Sequence, residues 1–202
     1  MIKIEKTEVL GWEAAIRGMR NPMNSWSMSD TELLQDVLRI GEKDLDLMHR
    51  LRNAGTDHRK YMRMITVYVD LTAPLYWWKE CDTYKVGTVA NSCSTMHKIH
   101  AKEFTLDDFS HEHLNERSIA CLENTIQLLN LNREYFLKDK SKSDWWQMIQ
   151  LLPTSYNQKR TVMLNYEVLS NMYKSRKNHK LDEWHEVCHW IESLPYSELI
   201  TG

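Results

Sequence analysis

With 202 residues, 42% of them hydrophobic, and a formal charge of −2, the chain is long enough for one domain with a sizeable core. The near-neutral balance excludes a protein that grips nucleic acid through bulk basic charge, and the short basic run over residues 174–180 does not alter that. No apolar run reaches the length of a membrane span, and the charged opening MIKIEKTEVLGWEAA lacks the apolar segment of a signal peptide. A soluble, cytoplasmic, single domain over residues 1–202 is expected.

In chain order, residues 2–10 alternate apolar and polar side chains and read as an edge strand, followed by a short helix over 12–19 before Asn21-Pro22. Ser29 with Glu32 three residues on has the form of a capping box. The helix it would open carries Leu34, Val37, Leu38, Leu45, Met48 and Leu51 at helical spacing and ends near Gly55. Residues 62–71 (MRMITVYVDL) are β-branched and aromatic and predict a strand, after which Pro74 sits in the first turn of a helix through Trp77 and Trp78. Glycine, serine, threonine and asparagine between 86 and 96 predict a loop. A long helix over 115–137, a short one over 145–150 and a last one over 181–191 follow. Eight tryptophans and nine tyrosines against three phenylalanines tilt the expectation towards an oligomer, because amphipathic aromatics concentrate at interfaces and pockets. The whole reads as α+β, helix-rich, with few strands.

The four cysteines (Cys81, Cys93, Cys121, Cys188) form no CxxC pair and read as reduced thiols. The histidine pairs 97/100, 111/113 and 185/189 lack the HExxH form and are scattered over different contexts, so no metal site is expected. No GxGxxG or GxxxxGK[ST] loop is present to cradle phosphates. The richest stretch is LLPTSYNQKRTVMLNYEVLSNMYKSR, residues 151–176. A proline break precedes a β-like run and a helix that starts at Asn165. Arg176, eleven residues on, falls on the same helix face at roughly 16 Å. An amide and a fixed cation so arranged suit a ligand with a polar ring and an anionic group. They equally suit an N-cap and a solvated arginine.

Leu152, Pro153, Asn165, Asn171 and Arg176 stand, without a gap, at the spacings of the C-terminal segment of the flavin-dependent thymidylate synthases, and the chain resembles that family. The resemblance extends over residues 33–191. Asp57-His58 takes the place of the family's Glu-His pair, MRMITVYVDL supplies the following strand, and Pro74 opens the helix into the signature. It implies the family's α+β fold, helix-rich with a small mixed sheet, flavin contacts for His58, Asn165 and Asn171, and a nucleotide-phosphate contact for Arg176. The signature RHRxxSxxxSxRY is largely rewritten. Thr83-Tyr84-Lys85-Val86-Gly87-Thr88 stands for its first half, and Asn91 and Ser94 match the second half in kind after a one-residue insertion. The arginine and tyrosine that close it become Met96 and His97, and the arginine upstream of Leu152-Pro153 has no counterpart beyond Gln147 and Gln150. Lys85, Thr88 and Ser94 are the residues left to carry the signature's catalytic functions.

By resemblance the expected activity is methylation of dUMP or a related pyrimidine nucleotide with FAD, with NADPH and methylenetetrahydrofolate as co-substrates, in a homotetramer whose sites span several chains. The lost arginines set a second expectation beside it, a nucleotide-binding or structural relative without catalysis, since lysine or threonine does not replace a bidentate guanidinium.

Overall fold

A computed structural model describes residues 2–34 and 37–202, residue 37 by its backbone only. The elements are β1 (Lys3–Leu10), α1 (Trp12–Arg20), β2 (Glu32–Leu34), β3 (Val37–Arg39), α2 (Glu42–Asn53), β4 (Thr66–Pro74), α3 (Leu75–Cys81), β5 (Val89–Ser92), α4 (Glu116–Asp139), α5 (Lys142–Leu151), β6 (Asn157–Asn165), α6 (Tyr166–Arg176), α7 (Asp182–Glu192) and α8 (Glu198–Thr201). Four strands form one sheet in the order β1-β4-β6-β5, and β2 pairs with β3 in an antiparallel hairpin. The class is α+β and helix-rich, as expected, with β1 at a sheet edge. Among the described residues no helix is long and apolar enough to cross a membrane.

Contacts divide the chain into two compact units. One comprises the N-terminal residues to Ile4, Asp70–Thr83 and Ala90–Thr161; the other comprises Glu5–Val69, Tyr84–Val89 and Val162–Gly202. In the first, the α4–α5 hairpin closes over Ile99, Phe104, Phe109, Leu122, Ile126, Leu129 and Met148, all buried. Asn115 opens α4 by accepting a hydrogen bond from Ser118 N, which satisfies one of the orphan amides of the first turn. Trp77 and Trp78 belong to the interior of this unit, each 1% exposed, and the Trp78 indole donates to Gln158 O at 3.0 Å. Trp146 stays exposed, while the Trp145 indole donates to Met96 O at 3.0 Å.

The second unit packs α1, α2, α6, α7 and α8 around Met48, Met62, Ile65, Leu169, Trp184, Ile191 and Leu199, each 0% exposed. Trp12 lies edge-on to Tyr166 and Tyr196, at 5.1 and 5.2 Å between ring centroids. Asp44 is a polar hub in this apolar setting. Fully buried, it takes Arg20 Nε at 2.6 Å, the Ser29 and Thr31 hydroxyls, and the Asp30 and Thr31 amides. Burial alone would raise its carboxyl pKa, but the hydrogen bonds from Ser29, Thr31 and Arg20, with the Arg20 charge, hold it below the usual range.

This hub explains why the helix expected from Ser29 to Gly55 is only half present. Glu32–Leu34 and Val37–Arg39 are the paired strands β2 and β3 instead, and α2 begins at Glu42. Ser29 does not cap a helix at Glu32; its hydroxyl serves Asp44. Within that expected helix, Gln35, Asp36 and the side chain of Val37, a member of the expected stripe, lie outside the described residues. The end is as expected, with Gly55 at φ +108 just past α2. Two further boundaries differ. Residues 59–63 form a 3-10 turn, so Met62 precedes the strand, and β4 starts at Thr66. The expected loop over 86–96 contains the short, exposed strand β5, next to β6 in the sheet, with Cys93 N donating to Lys159 O at 2.9 Å. Backbone pairing has overridden a loop-like composition there.

Candidate functional site

The residues singled out in the second unit converge on α6. Asn165 is its N-cap, 4% exposed, and its side-chain oxygen accepts from Val168 N at 2.9 Å. Its amide nitrogen reaches Gly87 O at 3.3 Å, and Val86 O at 3.5 Å. Eleven residues on, the Arg176 Nε donates to the Tyr84 hydroxyl at 3.0 Å. The guanidinium also lies 4.8 Å from the Trp184 ring and 5.6 Å from that of Tyr84. The two ends of α6 therefore hold residues 84–88, the segment that replaces the first half of the signature. Within it the Thr88 hydroxyl donates to Tyr84 O at 2.8 Å, and Lys85 is exposed. Gly87 takes φ +68, and a Cβ there would come within 2.7 Å of the Asn165 amide nitrogen, so the close approach requires glycine.

His58 and Asn171 occupy a second part of the same unit. His58 is exposed at the start of the 3-10 turn Arg59–Arg63. Asn171 is exposed on α6 and accepts from Arg59 Nη2 at 3.3 Å. Glu167, in the first turn of α6 and buried, accepts from Arg59 Nε at 3.1 Å and from Arg63 Nε. Burial would raise the Glu167 carboxyl pKa; the hydrogen bonds from Arg63 and Arg59 overcome that and hold it low. Sequence reading passed over this trio. The available signals were two arginines four apart directly after His58, and a carboxylate between Asn165 and Asn171.

Ser94 lies in the first unit. Its oxygen accepts from Met96 N at 3.2 Å and His97 N at 2.9 Å, an arrangement that leaves the hydroxyl proton to donate elsewhere. It lines a cavity of about 760 Å³ together with Cys93, Lys98, Phe104, Tyr156 and Lys159, a volume in the range of small-molecule sites. Lysines, the carboxylates of Asp107, Asp108 and Glu112, amides and aromatic rings all line this cavity, so its lining is of mixed charge. Among the described residues no group of three or more His, Cys, Asp and Glu side chains is placed to hold a metal ion.

The sequence matches no protein-family model and no curated protein. The fold does match solved structures. A flavin-dependent thymidylate synthase ThyX from Helicobacter pylori, complexed with FAD and dUMP, superposes with a TM-score of 0.71 at 16% identity, over 98% of this chain and 97% of the other. A second structure of that enzyme with FAD and dUMP gives 0.72 at 16% identity, over 100% and 97%. The UMP/dUMP methylase PolB from Streptomyces cacaoi, bound with 5-Br dUMP, gives 0.66 at 12% identity, over 100% and 94%. The fold of this chain is that of the flavin-dependent thymidylate synthases.

Proposed function

We propose that this protein is a flavin-using enzyme that methylates dUMP or a related pyrimidine nucleotide. The observation that carries the reading is the bridging of residues 84–88 by Asn165 and Arg176, on a fold whose solved relatives are complexed with FAD and with uridine nucleotides. It supports a working role for the rewritten signature, because Lys85 and Thr88 are held beside the two α6 residues that match the family.

The donor set fits a flavin nucleotide. His58 and the Asn171 amide, with the arginines next to them, offer hydrogen bonds and positive charge to a polar ring and its phosphates. Asn165 contributes less freely, since both ends of its amide already bind backbone. Bound flavin supplies the hydride chemistry, with NADPH as reductant and methylenetetrahydrofolate as carbon donor. Protein residues contribute binding, orientation and electrostatics. Arg176 binds the nucleotide phosphate, and its contacts with the Trp184 ring and the Tyr84 hydroxyl restrain the guanidinium. Lys85 brings a mobile positive charge to developing negative charge on the base. Thr88, with its proton given to Tyr84 O, acts as an acceptor, while Ser94 acts as a donor to an anionic oxygen. The assembly that completes the site is a homotetramer in the cytoplasm.

The second reading is a nucleotide-binding relative without catalysis. It is favoured by Thr83-Tyr84-Lys85 in place of Arg-His-Arg, and by Arg176 being engaged with Tyr84. Titration of the purified protein with FAD, followed by rescue of a thymidine auxotroph, separates the two. Flavin uptake with rescue establishes synthase activity; uptake without rescue leaves an altered substrate or the inactive reading. Protein that is colourless and takes up no FAD rules out the flavoenzyme.

A further inference from the structure

The arginines beside Glu167 go beyond the residues matched to the family. Arg59 and Arg63 are four apart on one 3-10 turn, while Tyr61 and Met62 between them are buried at 3% and 0% exposure. The turn is therefore anchored by its apolar residues and presents its cations. Glu167 gives one carboxylate oxygen to the Nε of each arginine. A carboxylate is well placed there, in the first turn of α6, where the helix end favours negative charge. Each guanidinium is gripped by its Nε edge, and Arg59 is further fixed by Asn171. The Arg59 side chain is 19% exposed and that of Arg63 is 49% exposed, against 8% for Glu167. The carboxylate is thus covered while the outer arginine faces solvent. Two guanidinium groups thus share the one carboxylate of Glu167, with the Asp57 charge acting on Arg63 as well.

An arginine held by a buried carboxylate has already lost most of its rotamer freedom, so closing on an oxyanion costs little further entropy. The fork geometry of guanidinium matches phosphate oxygens in pairs. We infer that Arg59 and Arg63, clamped by Glu167, form a phosphate subsite that binds the phosphoryl end of a flavin nucleotide beside His58 and Asn171. The assignment rests on the flavin reading for its ligand, and on geometry alone for its chemistry. It supplies guanidinium groups from outside the signature to a chain whose signature has lost them.

The test is calorimetric titration of the full chain with FAD, FMN, riboflavin and inorganic pyrophosphate, for wild type, Arg63→Ala and Arg63→Lys. FAD affinity is expected to fall about 10- to 100-fold in Arg63→Ala, with riboflavin affinity unchanged and a shallower salt dependence for FAD. Arg63→Lys keeps the charge without the fork and is expected to lose about 10-fold, which preserves the test should the alanine variant fold poorly. FAD loss exceeding FMN loss assigns the diphosphate; equal losses assign a single phosphate. Wild type that binds pyrophosphate through Arg63 but takes no flavin keeps the subsite and removes the flavin reading. Wild type that binds FAD with an affinity unmoved by either variant keeps the flavin reading and overturns the subsite. Binding of neither ligand overturns both.

Discussion

In the proposed site Arg176 would carry two jobs whose energies differ in size. Its guanidinium rests on Trp184 and Tyr84, contacts worth about 0.5–2 kcal/mol each, and its Nε hydrogen bond to Tyr84 contributes a comparable amount. A phosphate contact made by the same group is charge-assisted, about 1.5–3 kcal/mol, and bidentate geometry adds to it. Arg176→Ala is therefore expected to lower dUMP affinity by at least 10- to 100-fold while shifting Tm by only several degrees, since about 1 kcal/mol moves Tm by 2–4 °C at this chain length. Calorimetry and a thermal melt measure both. Unchanged dUMP affinity would remove Arg176 from the site. Tyr84→Phe keeps the stacked ring and removes only the acceptor, so a smaller loss of affinity in that variant measures the value of fixing the guanidinium.

Elements were legible in the sequence where local signals and tertiary contacts agree. The helices α4 and α6 carry their own caps, Asn115 and Asn165, and apolar faces that the core accepts. Asn165 and Arg176 were legible for the same reason, as both belong to one regular helix. The segment from Ser29 to Arg39 was not, because what organises it is distant in sequence. Asp30 caps α2 from outside, accepting from Lys43 N at 2.9 Å and Asp44 N at 3.1 Å, while Asp44 gathers residues 29–31 in return. The helical spacing of Leu34, Leu38 and Leu45 across that segment was coincidental, since Leu34 and Leu38 lie on the paired strands β2 and β3. The Glu167 fork was missed on similar grounds, its arginines lying more than a hundred residues upstream of the carboxylate. The reciprocal cap leaves a testable mark at Gly41, where a Cβ would meet Asp30 atoms, including its backbone oxygen, at 2.2–2.3 Å. Gly41→Ala is expected to destabilise by about 1–3 kcal/mol through this overlap. A denaturant melt showing wild-type stability would mean that the Asp30–α2 contact yields without cost.

At the scale of the molecule the buried ionisable groups set the pH range over which the fold is stable. Asp44 and Glu167 have carboxyls depressed by their arginine and hydroxyl partners, against burial. Their stabilisation is complete above the unfolded-state values of about 3.9 and 4.3 and is lost as pH falls through the depressed native values. On the other side, burial pushes the Cys188 thiol up to about 11 and raises the Tyr61 and Tyr166 phenols. These groups stabilise the fold while neutral, fully below their unfolded values of about 8.5 and 10, and the contribution disappears as pH climbs through the raised native values. Stability is therefore expected to be level, as far as these groups decide it, between about pH 4.5 and 8.5, and to fall on both flanks. The flanks have separate owners. Asp44→Asn leaves Arg20 without its charged partner in a site 4% exposed, so that variant should lose about 3–5 kcal/mol at pH 7 and show a flatter acid limb. Cys188→Ala removes the thiol and should flatten the alkaline limb between pH 9 and 11 while leaving the acid limb as it was. Urea unfolding at half-unit pH steps resolves the two limbs. An acid limb equally steep in Asp44→Asn and wild type would show that the buried Asp44–Arg20 pair does not govern acid unfolding.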